Sequence, residues 1–325
     1  MIILEKKIDK DFVVLNLSDV QASSSEWNEE HKHFPLINGT IREVIQRVKP
    51  DLITLSGDLS WAGDYMGYEA LASCLEEYKT PWAVAWGNHD EQEGIEKLDK
   101  TIEGYFKHKY FTYENGPSEL GRGNYVIAIK EGDSIVSAFI LMDTHDRIPM
   151  TDENGNEQLV WSKVTPEQIE WYKEQIKALK EMGCNDTTLI THIPIHAYME
   201  AFEAAFDSSL KPEEVTAEQS AKGYGWRDGY KGAFGVKYDT ICCCPIDDHF
   251  LDAILEGETT KNCIAGHDHT SSFSIPYKGV RLSYGLKTGC GCYWNPLLNG
   301  GTVIKINQNG VYDIHHEYVD RSMYL

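Results

Sequence analysis

Five short polar motifs interrupt this chain, and each stands where an apolar run stops. They are Ser18-Asp19-Val20-Gln21, Gly57-Asp58-Leu59-Ser60, Gly87-Asn88-His89-Asp90, Thr191-His192-Ile193-Pro194 and Gly266-His267-Asp268-His269. Together they offer the imidazoles of His192, His267 and His269, the carboxylates of Asp19 and Asp58, and the carboxamide of Asn88. His89 stands beside Asn88. Oxygen and nitrogen donors in this proportion suit a pair of divalent cations. Any one of these residues alone has a plainer reading. An Asp at a strand end is commonly a turn former, and a single His is commonly a satisfied polar group. The ordered series of five reverses that weighting.

The runs before the motifs fix the architecture. Phe12–Leu17, Leu52–Leu55 and Trp82–Trp86 are short β-prone segments. Thr40-Ile41-Arg42-Glu43 is a capping box that predicts a helix between the first two, with Ile41, Val44, Ile45 and Val48 on one face. A second helix is predicted from Gly67 to Tyr78. Such strand–helix alternation argues for a parallel sheet covered by helices. Further on, 125–129 and 135–142 read as a hairpin, and Thr165-Pro166-Glu167-Gln168 opens a helix. Thr188–Ile190 and Asn262–Ala265 then lead into the last two motifs, and 279–318 alternates like an antiparallel meander. In open α/β sheets ligands gather beyond the carboxyl ends of strands, and all five motifs fall there on this reading. Gly57, Gly87 and Gly266 suit sharp turns at those ends. The expectation is an α/β fold of two mixed β-sheets in one domain, 1–325, with an insertion near the site at about 197–238.

Charge narrows the partners. With 51 acidic against 30 basic residues the net charge is −21. That field repels nucleic-acid backbones, so polymeric DNA or RNA is not an expected partner. A small phosphate would need metal cations to invert the sign locally. The first residues are too interrupted by charge for a signal segment, and no run of 18 apolar residues occurs. A cytoplasmic protein without membrane contact is therefore expected. The eight cysteines include Cys242-Cys243-Cys244 and Cys290-Gly291-Cys292, neither with the spacing of a structural zinc site. Reduced thiols are expected.

Taken together, the motifs resemble those of the calcineurin-like metallophosphoesterases, over roughly 12–293 but not in the stretch after Ala197. The resemblance implies a sandwich of the two sheets flanked by helices, a four-layer α/β/β/α arrangement. It also implies two divalent or trivalent cations (Mn, Fe, Zn or Mg). Asp19 and His269 would bind the first, Asn88, His192 and His267 the second, and Asp58 would bridge them. His89 would approach the substrate phosphoryl group.

Two departures matter. The family usually has Asp-x-His at its first motif, whereas this chain has Gln21. Gln21 suits either a weaker, harder oxygen ligand or a residue hydrogen-bonded to a ligand. In the purple acid phosphatases of the same superfamily a metal-binding Tyr follows the bridging Asp by three residues, where this chain has Trp61. The chain thus looks closer to a related branch without that tyrosine.

The implied chemistry is hydrolysis of a phosphate ester. Two cations about 3.5–4 Å apart would hold a bridging hydroxide that attacks phosphorus in line. His89 would protonate the leaving alkoxide or stabilise its charge, a role worth about 10²–10⁴ in rate. Asp64 and Asp90 are candidates to orient it. His196 reads as a pocket wall because Pro194 breaks its helical relation to His192. His145 reads as core or surface. Trp226, Arg227, Tyr230 and Lys231 would bind a phosphate or aromatic leaving group, or form a solvated loop. The expected substrate is a small or peptide-borne phosphate ester. The competing reading is a metal-binding regulatory module that has lost catalysis.

Overall fold

The computed structural model describes residues 1–152 and 154–324. A seven-stranded mixed sheet runs in the order β1-β5-β6-β9-β10-β12-β11. Its strands are β1 (Ile2–Glu5), β5 (Tyr125–Glu131), β6 (Ser134–Leu141), β9 (Thr187–Ile190), β10 (Thr260–Ala265), β11 (Ser274–Tyr277) and β12 (Val280–Tyr284). A five-stranded mixed sheet runs β14-β13-β2-β3-β4. It comprises β2 (Phe12–Leu17), β3 (Leu52–Ser56), β4 (Trp82–Ala85), β13 (Gly300–Asn307) and β14 (Gly310–Tyr318). A separate hairpin pairs β7 (Arg147–Thr151) with β8 (Glu157–Trp161). The helices are α1 (Phe34–Val48), α2 (Tyr65–Glu76), α3 (Asn88–Glu91), α4 (Ile95–Tyr105), α5 (Pro166–Glu181), α6 (Ala197–Ala205), α7 (Ala217–Ala221) and α8 (Phe250–Gly257).

The layering follows from strand alternation. Successive side chains of a strand point to opposite faces. Ile127, Ile129, Phe139, Leu141 and Ile264 therefore bury in the core shared with β2, β3, β4 and β13. Their neighbours Val126, Ala128, Ala138, Ile140 and Cys263 bury instead with Tyr172, Ile176 and Leu179 of α5, with α6 and with α8. The outer face of the five-stranded sheet is covered by α1, α2 and α4. Two mixed sheets packed face to face between helical layers are the expected fold. Each large apolar side chain so buried contributes about 1.5–3 kcal/mol. Among the described residues no helix is long and apolar enough to cross a membrane.

Three local expectations are corrected. Helix α1 begins at Phe34, not at Thr40, because Pro35 suits its first turn and Leu36 and Ile37 extend the buried stripe by a turn. Thr40 Oγ1 accordingly donates to Leu36 O at 2.7 Å instead of capping. Helix α2 begins at Tyr65, where Asp64 accepts from Gly67 N. The tail is not one meander. Strand β12 lies parallel beside β10, whereas β13 and β14 form a hairpin whose β13 edge pairs with β2. The loop 285–299 thus crosses from one sheet to the other, past the ends of β2 and β10. It passes so close to the first motif that a Cβ on Gly289 would lie 1.8 Å from Val20 O.

Candidate metal centre

The five motifs begin just beyond the carboxyl ends of β2, β3, β4, β9 and β10. Three of those strands belong to one sheet and two to the other, so the crevice lies where both sheets end. Asp19, Gln21, Asp58 and His267 all have positive φ, between +42° and +80°. For residues other than glycine this backbone costs about 1–2 kcal/mol each, and such strain clusters at functional sites. Gly57 precedes Asp58 with φ +86°, and a Cβ there would meet His192 Nδ1 at 2.4 Å. Only glycine lets β3 turn this close to the imidazole.

Two donor groups result. Asp58, His192 and His267 form one, and Asp19, Asp58 and His269 form the other. Within each group the ligand-type atoms lie within 4.8 Å of one another, and all these residues are buried. Asn88 Oδ1 joins the first group, 2.9 Å from His192 Nε2. His192 Nδ1 is 2.8 Å from Ser56 O, which as acceptor fixes the tautomer and turns Nε2 into the cluster. His269 is handled alike: Nδ1 sits 2.9 Å from Tyr293 O and Nε2 is 3.4 Å from Asp19 Oδ1. Aromatic rings back three of the imidazoles: Trp161 against His267, Tyr293 against His269 and Trp61 against His89.

Burial alone would raise both carboxyls, but neighbouring positive charge outweighs it. The hydrogen bond and charge of His269, with His192 and Lys287, hold Asp19 well below the usual range. The charge and hydrogen bond of His192 likewise lower Asp58. Burial opposes a proton on His192, yet Asp58 and Asp19 raise it to about 10. Burial and the charge of His192 push His267 down to about 3. Two ionised carboxylates buried among imidazoles thus draw positive charge inward, and a divalent cation satisfies the carboxylates and the ring lone pairs together. The donor chemistry fits a metal.

Gln21 is buried, but its amide is spoken for. Lys287 Nζ donates to Gln21 Oε1 at 3.0 Å and to Asp19 O at 2.9 Å, while Gln21 Nε2 donates to Asp58 Oδ2 at 3.1 Å. An ammonium has no acceptor, so it dictates which end of the amide faces it. The nitrogen end is then left facing the carboxylates. Lys287 is 2% exposed, and burial pulls its amine down to about 8 against the opposing pull of Asp19 and Asp58. Sequence reading missed Lys287. The available signal was its place two residues after Gly285, at the end of the apolar run that forms β12.

His89 lies at the rim, its side chain 24% exposed and its Nε2 4.0 Å from Asp58 Oδ2. Its backbone N–H donates to Asp58 Oδ1 at 2.9 Å. Neither expected acid orients the ring. Asp64 is occupied at the start of α2, and Asp90 accepts from Gly87 N, Asp58 N, Leu59 N and Tyr68 Oη at 2.8–3.1 Å. Gln92 Oε1, 2.5 Å from Nδ1, holds the imidazole instead. His196 is turned to Cys244 O at 3.0 Å. His145 stands apart with Asp143 and Glu91. Trp226 and Arg227 hydrogen-bond to Ser220 and to Ala204 O, which is local packing. Cys242 N donates to Asp268, bracing the residue between His267 and His269, and the three thiols there are free.

Residues 12–271 match the model of the calcineurin-like phosphoesterase family. Among curated proteins, the chain is 24% identical over 278 residues to Arabidopsis thaliana "Probable inactive purple acid phosphatase 28", covering 79% of this chain and 62% of that protein. It is 26% identical to "Probable inactive purple acid phosphatase 14" of the same plant, covering 75% and 60%. It is 22% identical to the Saccharomyces cerevisiae phosphatase DCR2, covering 95% and 54%. The chain thus spans less than two thirds of the length of these relatives. The crystal structure of a dimetal phosphatase from Danio rerio has the same fold, with TM-score 0.56, 13% identity and coverage of 96% and 99%. With the five motifs converged at the ends of two packed sheets and four fifths of its length matched, this chain belongs to the calcineurin-like phosphoesterase family and is related to its purple acid phosphatases.

Proposed function

We propose that this protein hydrolyses a small or peptide-borne phosphate ester with the help of two bound cations. The observation that carries the reading is Asp58, whose carboxylate belongs to both donor groups. Asn88, His192 and His267 would hold one cation, Asp19 and His269 the other, with Asp58 between. When bound, the cations supply positive charge for the phosphoryl oxygens and an acidified water as nucleophile. Nitrogen and oxygen donors without thiolate suit Mn, Fe or Zn, and Mg for the more oxygen-rich group. Attack in line with the leaving oxygen leaves that oxygen at the crevice rim. There His89, steadied by Gln92 and Trp61, delivers a proton to it.

Chromogenic phosphate mono- and diesters, assayed after loading with manganese, zinc or iron, test this reading. Turnover that appears with metal and disappears on chelation is expected. Two ions bound with no turnover of either ester would remove the enzyme reading. A second reading, a metal-binding module that has lost catalysis, is favoured by one observation: Lys287 claims the oxygen of Gln21 beside the Asp19 group.

A further inference from the structure

The hairpin of β7 and β8 stands beside the centre. Arg147 opens β7, Trp161 closes β8, and the two are cross-strand partners. The guanidinium carbon lies 4.2 Å from the centroid of the Trp161 ring. The same indole meets the His267 imidazole at 4.3 Å between centroids and 87°. One side chain therefore connects a candidate metal ligand to a cation. A cavity of about 250 Å³ opens here, lined by Arg147, Leu159, Val160, Trp161, Cys243 and Pro245. Its apolar lining is not closed over: Leu159 is 64% exposed. Among the described residues the Arg147 guanidinium finds no hydrogen-bond acceptor, in a chain of net charge −21 and with Asp146 next to it.

We propose that this cavity is the leaving-group subsite of the phosphoesterase. It takes the aromatic alcohol part of an ester, and Arg147 takes a second anionic group on that ring. The inference rests on the phosphoesterase reading for the position of the ester. Size supports it, because whole-ligand pockets occupy about 300–1,000 Å³ and this cavity suits only part of a substrate. Position supports it too. A phosphoryl group among Asp58, His192 and His267 has its ester oxygen a bond length away, and Trp161 already touches His267. The lining decides the class: an aromatic ring packs against Leu159 and Pro245, while the free guanidinium forks onto a carboxylate or second phosphate. Trp161 carries Arg147 on its face and so presets the fork.

Calorimetric titration of the metal-loaded protein with methylphosphonate, phenylphosphonate and 4-carboxyphenylphosphonate tests the subsite. The carbon–phosphorus bond makes the readout binding and not turnover. We expect phenylphosphonate to bind about tenfold tighter than methylphosphonate, and the carboxyl group to add about tenfold more. Arg147→Met removes the second increment and keeps the first. Leu159→Ser, at an exposed position that tolerates polarity, reduces the first about threefold. Trp161→Ala, with its metal content checked by atomic emission, reduces both. Equal binding of the three phosphonates, or ratios unchanged in Arg147→Met and Leu159→Ser, overturns the subsite. Discrimination among phosphonates without hydrolysis of any ester leaves the subsite standing and removes the phosphoesterase reading. Hydrolysis without discrimination does the reverse.

Discussion

Lys287 is the residue whose replacement is most informative, because it sets the two donor groups apart. Its ammonium is 3.0 Å from Gln21 Oε1, and the other end of that amide is 3.1 Å from Asp58 Oδ2. The Gln21 amide thus stands between the ammonium and the Asp58 carboxylate that would hold a cation. At a separation of about 6 Å, a doubly charged ion is disfavoured beside an ammonium by about 5.5 kcal/mol at an effective dielectric constant of about 20. If relaxation and salt halve this, about 2.7 kcal/mol remains, or about a hundredfold in affinity. Among the described residues the ammonium donates to Asp19 O and Gln21 Oε1 and not to Asn88, His192 or His267, so a cation at that group should be penalised less. Wild-type protein titrated with Mn²⁺ in a calorimeter should therefore bind in two steps, the weaker up to about a hundredfold above the tighter in Kd. Lys287→Met keeps the stem and removes the charge, which frees Gln21 Oε1 to turn toward Asp19 and Asp58. The gap should then close to about tenfold or less, with two ions retained after dialysis. Circular dichroism checks the fold, since Asp19 O loses a donor. A Lys287→Met titration that superimposes on the wild-type curve would refute the electrostatic account of the Asp19–His269 group.

Other perturbations read other parts of the site. His89→Ala should lower kcat by about 10²–10⁴ while metal content stays at the wild-type value, and an unchanged kcat would remove the proton-donor role. Asp90→Ala strips the acceptor from three backbone N–H groups that shape the turns at Asp58 and Asn88. Metal affinity should fall about 10–100-fold and thermal stability by a few kcal/mol, read by calorimetry and melting. Burial, reinforced by Asp143, pushes Glu91 from 4.5 up to about 10, and among the described residues its Oε1 has no hydrogen-bond partner. The folded state therefore keeps a proton that the unfolded state releases, so stability falls as pH rises from about 4.5 to about 10, by about 1.4 kcal/mol per unit at most. Glu91→Gln should remove that slope. Its melting temperature at pH 8 should exceed the wild-type value by several degrees, with the two converging near pH 4.5. Parallel melting curves at both pH values would contradict the assigned proton.

What the sequence made legible was whatever repeats a local rule. Asp19, Asp58, Asn88, His192 and His267 each follow a short buried strand directly, so strand length and direction carry them to one crevice once the sheets form. The capping box at Thr165 and Gln168 and the hairpin of β5 and β6 are equally local, and both are present. What escaped depends on pairing between segments far apart in the chain. Lys287 reaches Gln21 across 266 residues because β12 joins one sheet and β13 the other, which sends the intervening loop over the first motif. No periodicity in 279–318 encodes that switch of sheets. Alternation reports that a strand has two faces, not which neighbour it pairs with. The orienting partner of His89 escaped for the opposite reason. Asp64 and Asp90 have carboxylates of the right type, but each is consumed by backbone N–H groups left unpaired at a helix start or strand end, a demand that local geometry satisfies first. The division between a well-provided group at Asp58, Asn88, His192 and His267 and a contested one at Asp19 and His269 is therefore a consequence of topology. The first group is built wholly from strand ends that the sequence announces. The second shares its crevice with a lysine delivered by a crossing loop, and that one long-range contact would set how strongly the group holds an ion.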